Sequence, residues 1–335
     1  MKLLHWTVFV DLLGYQELNG GVKSLDDAKD LIEFMDSNQQ IFNDQTQNIR
    51  LRKQYENSSY NLYEHYEISF AFISDSLIIS YTPNLDKDFP EEIALRHSAN
   101  SLLIILQRLR LLIYKCAHEK NIFLRGGISN DYSYIHGNFA VGKGVGSAYK
   151  AETLAKYPRV ILAKDVTANT KLMKAIENLS KLMYSSDLIK DDGEKYLDFN
   201  CFGRVTLDAK SNNPFVIKNA ISNPEKYKET VLHEGGMLRG YKEAIEFQIR
   251  KALMLKDSIN PEEQGLYKSL KEKYIWLSNY HDKSCEEFSR LTIAIPKPIA
   301  YENPKTLEIV YFLLKVIPAI VALKIDNELL NALKN

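Results

Sequence analysis

Two aspartates stand at the polar ends of apolar, strand-like runs, and they limit the possible folds more tightly than any other feature of the chain. Asp11 closes Trp6-Thr7-Val8-Phe9-Val10 and precedes Leu12-Leu13-Gly14-Tyr15. Asp75 follows Phe70-Ala71-Phe72-Ile73-Ser74 and precedes Ser76-Leu77-Ile78-Ile79-Ser80. A carboxylate inside such a strand is unfavourable without a cation or hydrogen-bond partners. Taken singly, each aspartate reads as an ordinary turn residue. Taken together, on strands that pair side by side, they make a seat for divalent cations and a phosphate chain.

The surrounding pattern supports that pairing. Residues 3–13 read as a buried strand, because the apolar run is near-continuous and rich in β-branched and aromatic residues. Ser24, followed by Asp26 and Asp27, has the chemistry of an N-cap for a helix running through the forties. Segments 66–73 and 76–82 read as two strands turning at Ser74-Asp75. Residues 91–119 form a long helix with Leu102, Ile105, Leu106, Leu109, Leu112 and Ile113 on one side. A strand over 122–129 and a glycine-rich passage at 137–146 follow. Next come a helix near 147–156, a strand at 159–163 and a helical stretch at 164–184. Asp192-Gly193 marks a closing hairpin. The order βαββαβ predicts an α+β, ferredoxin-like sheet with helices on one face. From about 214 the chain is Lys/Glu-rich and helical, so the expected organisation is residues 1–210 as one domain and 211–335 as a helical C-terminal extension.

Composition narrows the function classes. The chain has 335 residues with 43 basic and 43 acidic side chains, so charge does not favour nucleic acid as a partner. The longest apolar stretch, Ile309 to Leu323, is interrupted by Lys315 and Pro318 and is too short for a membrane span. The N-terminal run lacks the features of a signal peptide. Cys116, Cys201 and Cys285 have no metal-ligand spacing and form no even disulfide set, so reduced thiols and a cytoplasmic location are expected. The seven histidines are dispersed and none pairs at i,i+4, so none is assigned to a metal.

Other residues carry phosphate chemistry less specifically. Gly14 lets backbone N–H groups approach phosphate oxygens. Arg125 either snorkels to water or meets a nucleotide, and the Gly126-Gly127 that follows implies a close approach to this backbone. Residues 137–144 come near a P-loop, but its last position needs Ser or Thr and holds Gly144. Lys143 still stands as a candidate phosphate neighbour.

The blocks Phe9-Val10-Asp11-Leu12-Leu13-Gly14-Tyr15, Ile73-Ser74-Asp75-Ser76 and Leu124-Arg125-Gly126-Gly127-Ile128-Ser129 resemble the class III nucleotidyl cyclase pattern. So does the run from Val141 to Glu152. Ala148-Tyr149 with Glu152, followed by Tyr157-Pro158-Arg159-Val160-Ile161, is closest to the Pycsar pyrimidine cyclases of bacterial antiphage defence. The similarity covers roughly residues 5–205, with a weaker likeness around residues 273–277 to helical extensions of such proteins.

The resemblance implies a class III cyclase core that holds two Mg²⁺ or Mn²⁺ ions on Asp11, Asp75 and the backbone carbonyl of Leu12. It implies conversion of UTP or CTP to the 3′,5′-cyclic monophosphate and pyrophosphate. The product would be a second messenger acting on a separate effector. Each active site would be shared across a homodimer, since the chain carries a single such domain. Gly14, Tyr15, Phe139 and Lys143 are the candidate nucleotide-binding residues, and Lys150 and Arg125 the candidate catalytic ones.

The departures are informative. The lysine that purine cyclases carry four residues before the second aspartate is Ala71, and their Asp or Thr falls at Phe139, which favours a pyrimidine. The family's transition-state Asn aligns with Gly146 and its Arg with Lys150, which keeps the charge and loses the bidentate fork. The alternatives left open are a purine cyclase with unusual base contacts, an inactive nucleotide-binding regulator, and a scaffold or sensor whose sheet is only structural.

Overall fold

The computed structural model describes residues 1–42, 62–84, 87–184, 187–200, 224–292 and 322–335, with isolated positions at 308, 311, 312, 315 and 316. These residues divide into two compact units. The first comprises Met1–Cys116, Ile122–Ser180 and Leu188–Phe199. The second comprises Ala117–Asn121, Lys181–Asp187 and Asn200–Asn335. The expected boundary at 210/211 lies outside the described residues, as do Cys201 and most of the apolar run from Ile309 to Leu323.

The first unit is an α+β layer structure. In chain order it holds β1 (Trp6–Leu13), α1 (Tyr15–Gly20), α2 (Leu25–Gln39), α3 (Leu62–His65), β2 (Tyr66–Ile73) and β3 (Ser76–Pro83). The long helix α4 (Glu91–Lys120), β4 (Phe123–Ser129), β5 (Tyr134–His136), β6 (Phe139–Val141) and α5 (Lys143–Leu154) follow. Then come β7 (Val160–Leu162), α6 (Lys164–Thr167), α7 (Thr170–Tyr184), β8 (Ile189–Asp191) and β9 (Lys195–Leu197). The main sheet runs β2-β3-β1-β4-β7-β9-β8. Its first four strands are antiparallel, and β7 joins β4 in parallel. β5 and β6 form a separate hairpin.

Alternation along β1 sorts the two faces. Trp6, Val8, Val10 and Leu12 are buried, and Trp6 Nε1 donates to the Ser98 carbonyl of α4 at 3.0 Å. Tyr66 of β2 and Tyr81 of β3 bury on the same layer, where Arg108 of α4 reaches the Tyr81 hydroxyl at 3.4 Å. Every α4 residue expected on the apolar side is buried. Each such aliphatic side chain contributes about 1.5–3 kcal/mol by leaving water. Ser24 caps α2, accepting from Asp27 N at 3.1 Å, and the helix ends at Gln39 rather than in the forties.

Helices cover both faces rather than the one expected: the face opposite α4 carries α5 and the β5–β6 hairpin. Ala71 and Ile78 of the sheet pack with Ile135 of the hairpin, joined by Phe9 and Val145. Thr7, Ser80 and Ser133 form a buried hydroxyl chain: Thr7 Oγ1 donates to Ser133 Oγ at 2.7 Å and Ser133 Oγ to Ser80 Oγ at 2.9 Å. The glycine-rich passage therefore becomes a hairpin and a helix start. Gly142, at φ 119, breaks the strand, and α5 begins at Lys143, four residues earlier than the sequence pattern implied. Any side chain at Gly144 would overlap Thr7 Oγ1 and the Asp131 carbonyl.

The second unit is helical where it is described. It contains α8 (Pro224–Met254), α9 (Pro261–Thr292) and α10 (Asn327–Lys334). Pro261 opens α9 at the position where a missing N–H costs least. No helix among the described residues is long and apolar enough to cross a membrane.

Candidate functional site

Strand register brings the backbones of the two aspartates to neighbouring positions. Asp11 of β1 lies opposite Ser76 of β3, and Ile73 lies opposite Ser76 across the β2–β3 turn. The turn is therefore two residues long, Ser74-Asp75, with Ser74 left-handed at φ 58. Leu12 N–H donates to the Asp75 carbonyl at 2.9 Å, so the pairing of β1 with β3 carries on into the turn. Asp11 and Asp75 end up one residue apart across neighbouring strands, although 64 positions separate them in the chain. Both are half-buried, while Leu12 between them is buried. Gly14, at φ 100, turns the chain from β1 into α1 directly beyond this corner. Its carbonyl accepts from Glu17 N and Leu18 N, each at 3.2 Å. Tyr15 is half-buried and lines a hollow of 350 Å³ with Ile32, Met35, Asp36, Gln39, Phe72 and Ser74.

A third charge faces Asp11. Arg125 of β4 is its direct cross-strand neighbour, so the two side chains share a face. Arg125 Nη2 stands 3.6 Å from Asp11 Oδ2, and Arg125 Nε donates to Glu152 Oε1. The Glu152 side chain is 3% exposed, against 24% for Arg125 and 21% for Asp11. Gly127 explains how a helix residue gets this close. A Cβ there would overlap Ala148 O and crowd Ala151 and Glu152, so only glycine lets α5 lie flat on β4. The close approach implied by Gly126-Gly127 is thus made by α5 at Gly127 and by the neighbouring strands at Gly126. Nor does Arg125 snorkel from a sheet edge, because β4 lies between β1 and β7.

The remaining candidates separate. Lys150 is exposed on α5 and lines a cleft of 610 Å³ with Lys143, Ser147, Asp131, Asp165 and Glu194, over an apolar floor that includes Leu154 and Ile161. Lys143 Nζ pairs with Asp131 at 3.0 Å, and hydrogen bonding to that carboxylate raises its pKa. Phe139 belongs to neither place. It is 78% exposed on the β5–β6 hairpin. A Cβ built at Gly146 meets nothing within 4 Å.

Two carboxylates of this region, Asp165 and Asp131, escaped sequence reasoning, and a third, Glu152, entered it only as part of the Ala148-Tyr149 motif. Asp165 accepts from Ser129 Oγ and Asn130 N, both at 2.6 Å, and clamps the end of β4. Asp131 accepts from Lys143 and Ser147, and Glu152 holds Arg125. The Ser129-Asn130-Asp131 run after a strand was the available signal for the first two, as a turn-forming cluster.

Among the described residues, no group of three or more His, Cys, Asp or Glu forms a metal cluster. The donors at the β1–β3 corner are two carboxylates and main-chain carbonyls. Such hard oxygen ligands suit Mg²⁺ or Mn²⁺ rather than zinc or copper. Arg125 would compete with a cation at Asp11 were its charge not shared with Glu152. The residues present therefore fit a hard divalent cation. Compared with family models and with curated proteins, the chain gives no match.

Proposed function

We propose that this protein is a pyrimidine nucleotide cyclase that converts UTP or CTP to the 3′,5′-cyclic monophosphate and pyrophosphate. The observation that carries the reading is the register of β1 with β3, which sets Asp11 beside the turn holding Asp75. The antiparallel order β4-β1-β3-β2, built from a βαββαβ chain order, agrees with a ferredoxin-like cyclase core. Ala71, small and buried, leaves no cationic purine contact at its position.

In this reading Asp11, Asp75 and the Leu12 carbonyl hold two Mg²⁺ or Mn²⁺ ions. When bound, these ions acidify the ribose 3′-hydroxyl and neutralise the triphosphate. The 3′-hydroxyl gives its proton to solvent as its oxygen bonds to the α-phosphorus, the bond from that phosphorus to the oxygen bridging to the β-phosphorus breaks, and pyrophosphate leaves with that electron pair. The chain's part is mainly positioning. Gly14 opens the turn beside the phosphates, with Tyr15 next to it. Lys150, with Lys143 on the same cleft, offers a mobile positive charge to the leaving group. A homodimer would set the α5 of one protomer against the metal corner of its partner, and exposed Phe139 on the β5–β6 hairpin would be available to such a contact. The cyclic nucleotide would then act on a separate effector in antiphage defence.

One observation favours a second reading, an inactive nucleotide-binding regulator on the same fold. Gly146 offers no side chain where the family's catalytic amide stands, and Lys150 has no fork. The deciding experiment incubates the purified protein with ATP, GTP, CTP and UTP separately in Mn²⁺ and follows cyclic product and pyrophosphate. The cyclase reading expects turnover of a pyrimidine triphosphate. Turnover of ATP or GTP alone moves the assignment to a purine cyclase, and nucleotide binding without product moves it to the regulator.

A further inference from the structure

We propose that Glu152 is a positioning residue that sets divalent-cation affinity at Asp11 by holding the Arg125 guanidinium away from it; this rests on the metal-dependent reading above. Arg125 stands between two carboxylates but does not treat them equally. It makes its close hydrogen bond to Glu152 through Nε, while Nη2 stays 3.6 Å from Asp11. At 3.6 Å that contact is an ion pair without a hydrogen bond of normal length. The Glu152 side chain is nearly sealed from water at 3% exposure, whereas Asp11 is open enough to exchange partners. A buried carboxylate without its cation is costly, so the guanidinium is anchored on the helix side.

The arrangement is built into the fold. Asp11 and Arg125 face each other across β1 and β4 by register, and Gly127 brings α5 close enough for Glu152 to reach the same guanidinium. Glu152 lies two residues beyond Lys150 on α5, so the helix that carries the exposed lysine also governs the charge at the metal corner. Without the Glu152 charge, the guanidinium would turn its full hydrogen-bonding edge to Asp11 and occupy the place of the cation.

The test is a Mn²⁺ titration of the full chain, followed by the electron paramagnetic resonance signal of free Mn²⁺, with thermal melts to check folding. Glu152→Gln keeps the shape and removes the charge. It is expected to weaken Mn²⁺ binding about tenfold, the low end for partners that orient metal ligands. It should also raise the Mn²⁺ concentration needed for half-maximal turnover more than it lowers kcat. Adding Arg125→Gln to Glu152→Gln is expected to restore wild-type affinity, which a merely structural role of Glu152 would not do. Arg125→Gln alone should tighten Mn²⁺ binding, and this variant keeps the proposal testable if Glu152→Gln does not fold. Unchanged affinity in Glu152→Gln, or a double variant weaker than the single, overturns the proposal while leaving the metal site standing. Failure of the wild-type chain to bind Mn²⁺ overturns both.

Discussion

The polar cluster at the end of β1 and the one enclosed by α8 and α9 both gather titratable side chains, yet they differ in charge. In the first, Asp11, Arg125 and Glu152 meet with Asp11 and Arg125 still partly open to water. In the second, His281 and Cys285 are fully buried, with the sulfur 3.5 Å from His281 Nε2. His281 Nε2–H donates to the Leu323 carbonyl at 2.9 Å, and Asp282 accepts from Ile325 N at 2.9 Å. Burial pushes the His281 imidazole down to about 4 and the Cys285 thiol up to about 12, so both stay neutral near pH 7. Burial also raises the Asp282 carboxyl above its ordinary value. The helical cluster therefore fastens the segment before α10 to the helices and carries no reactive thiolate. The comparison teaches that desolvation separates the two roles. Where burial comes without an opposite charge, as at His281 and Cys285, the groups stay neutral, and where Arg125 meets buried Glu152 and half-open Asp11, charge is kept by pairing.

The comparison can be broken most forcefully at Asp75. Asp75→Ala should lower cyclisation at least about a thousandfold, since metal ligands supply several kcal/mol of charge stabilisation, while the thermal melt shifts little. Normal turnover in this variant would make the sheet end as structural as the helical cluster.

Acid should act in the opposite place. The unfolded His281 imidazole takes up a proton below about 6.5, whereas the folded one resists until about 4. Its stabilisation is complete above pH 6.5 and is lost as pH falls toward 4, a loss on the order of 3 kcal/mol. Urea melts at pH 7 and pH 4.5 measure it, and His281→Gln should flatten that dependence. His5, His65 and His97, whose pKa values burial also lowers, add to the slope that remains.

Gly127→Ala should cost about 2 kcal/mol by overpacking α5 against β4, and it should weaken Mn²⁺ binding by displacing Glu152. A melt unchanged from wild type would contradict the close helix–strand contact. The smallest effect belongs to the exposed pair of Lys171 and Glu91, 2.8 Å apart with both side chains more than half exposed. Lys171→Ala should change stability by less than about 0.5 kcal/mol.

Much of this was legible in the sequence because it is local. Apolar alternation marks β1, and the strand pair closing on Ser74-Asp75 matches the observed hairpin except that β3 runs one residue further, to Pro83. Ser24 announces its own cap, and the apolar face of α4 is written at helical spacing. From those elements alone, the order βαββ also brings Asp11 toward Asp75. What stayed hidden depends on contacts distant in sequence. The β5–β6 hairpin uses strands of three residues, too short for a period to register. Gly144 reads as part of a phosphate loop until Thr7 is seen beneath it. The partner of Arg125 is 27 residues away, and its pairing depends on the absence of a side chain at Gly127. The Asp131–Asp165 clasp is missed for the same reason, because β7 must first fold beside β4 before Asp165 can reach back.

The central claim is geometric: carboxylates from two strands grip the same cations. Anomalous scattering from a crystal grown with Mn²⁺ and a non-cyclisable pyrimidine triphosphate tests it directly. The account predicts Mn²⁺ peaks within coordinating distance of both Asp11 and Asp75 carboxylates, with the triphosphate on the same ions. Peaks absent from this corner, or the two carboxylates turned to opposite faces of the sheet, would contradict it.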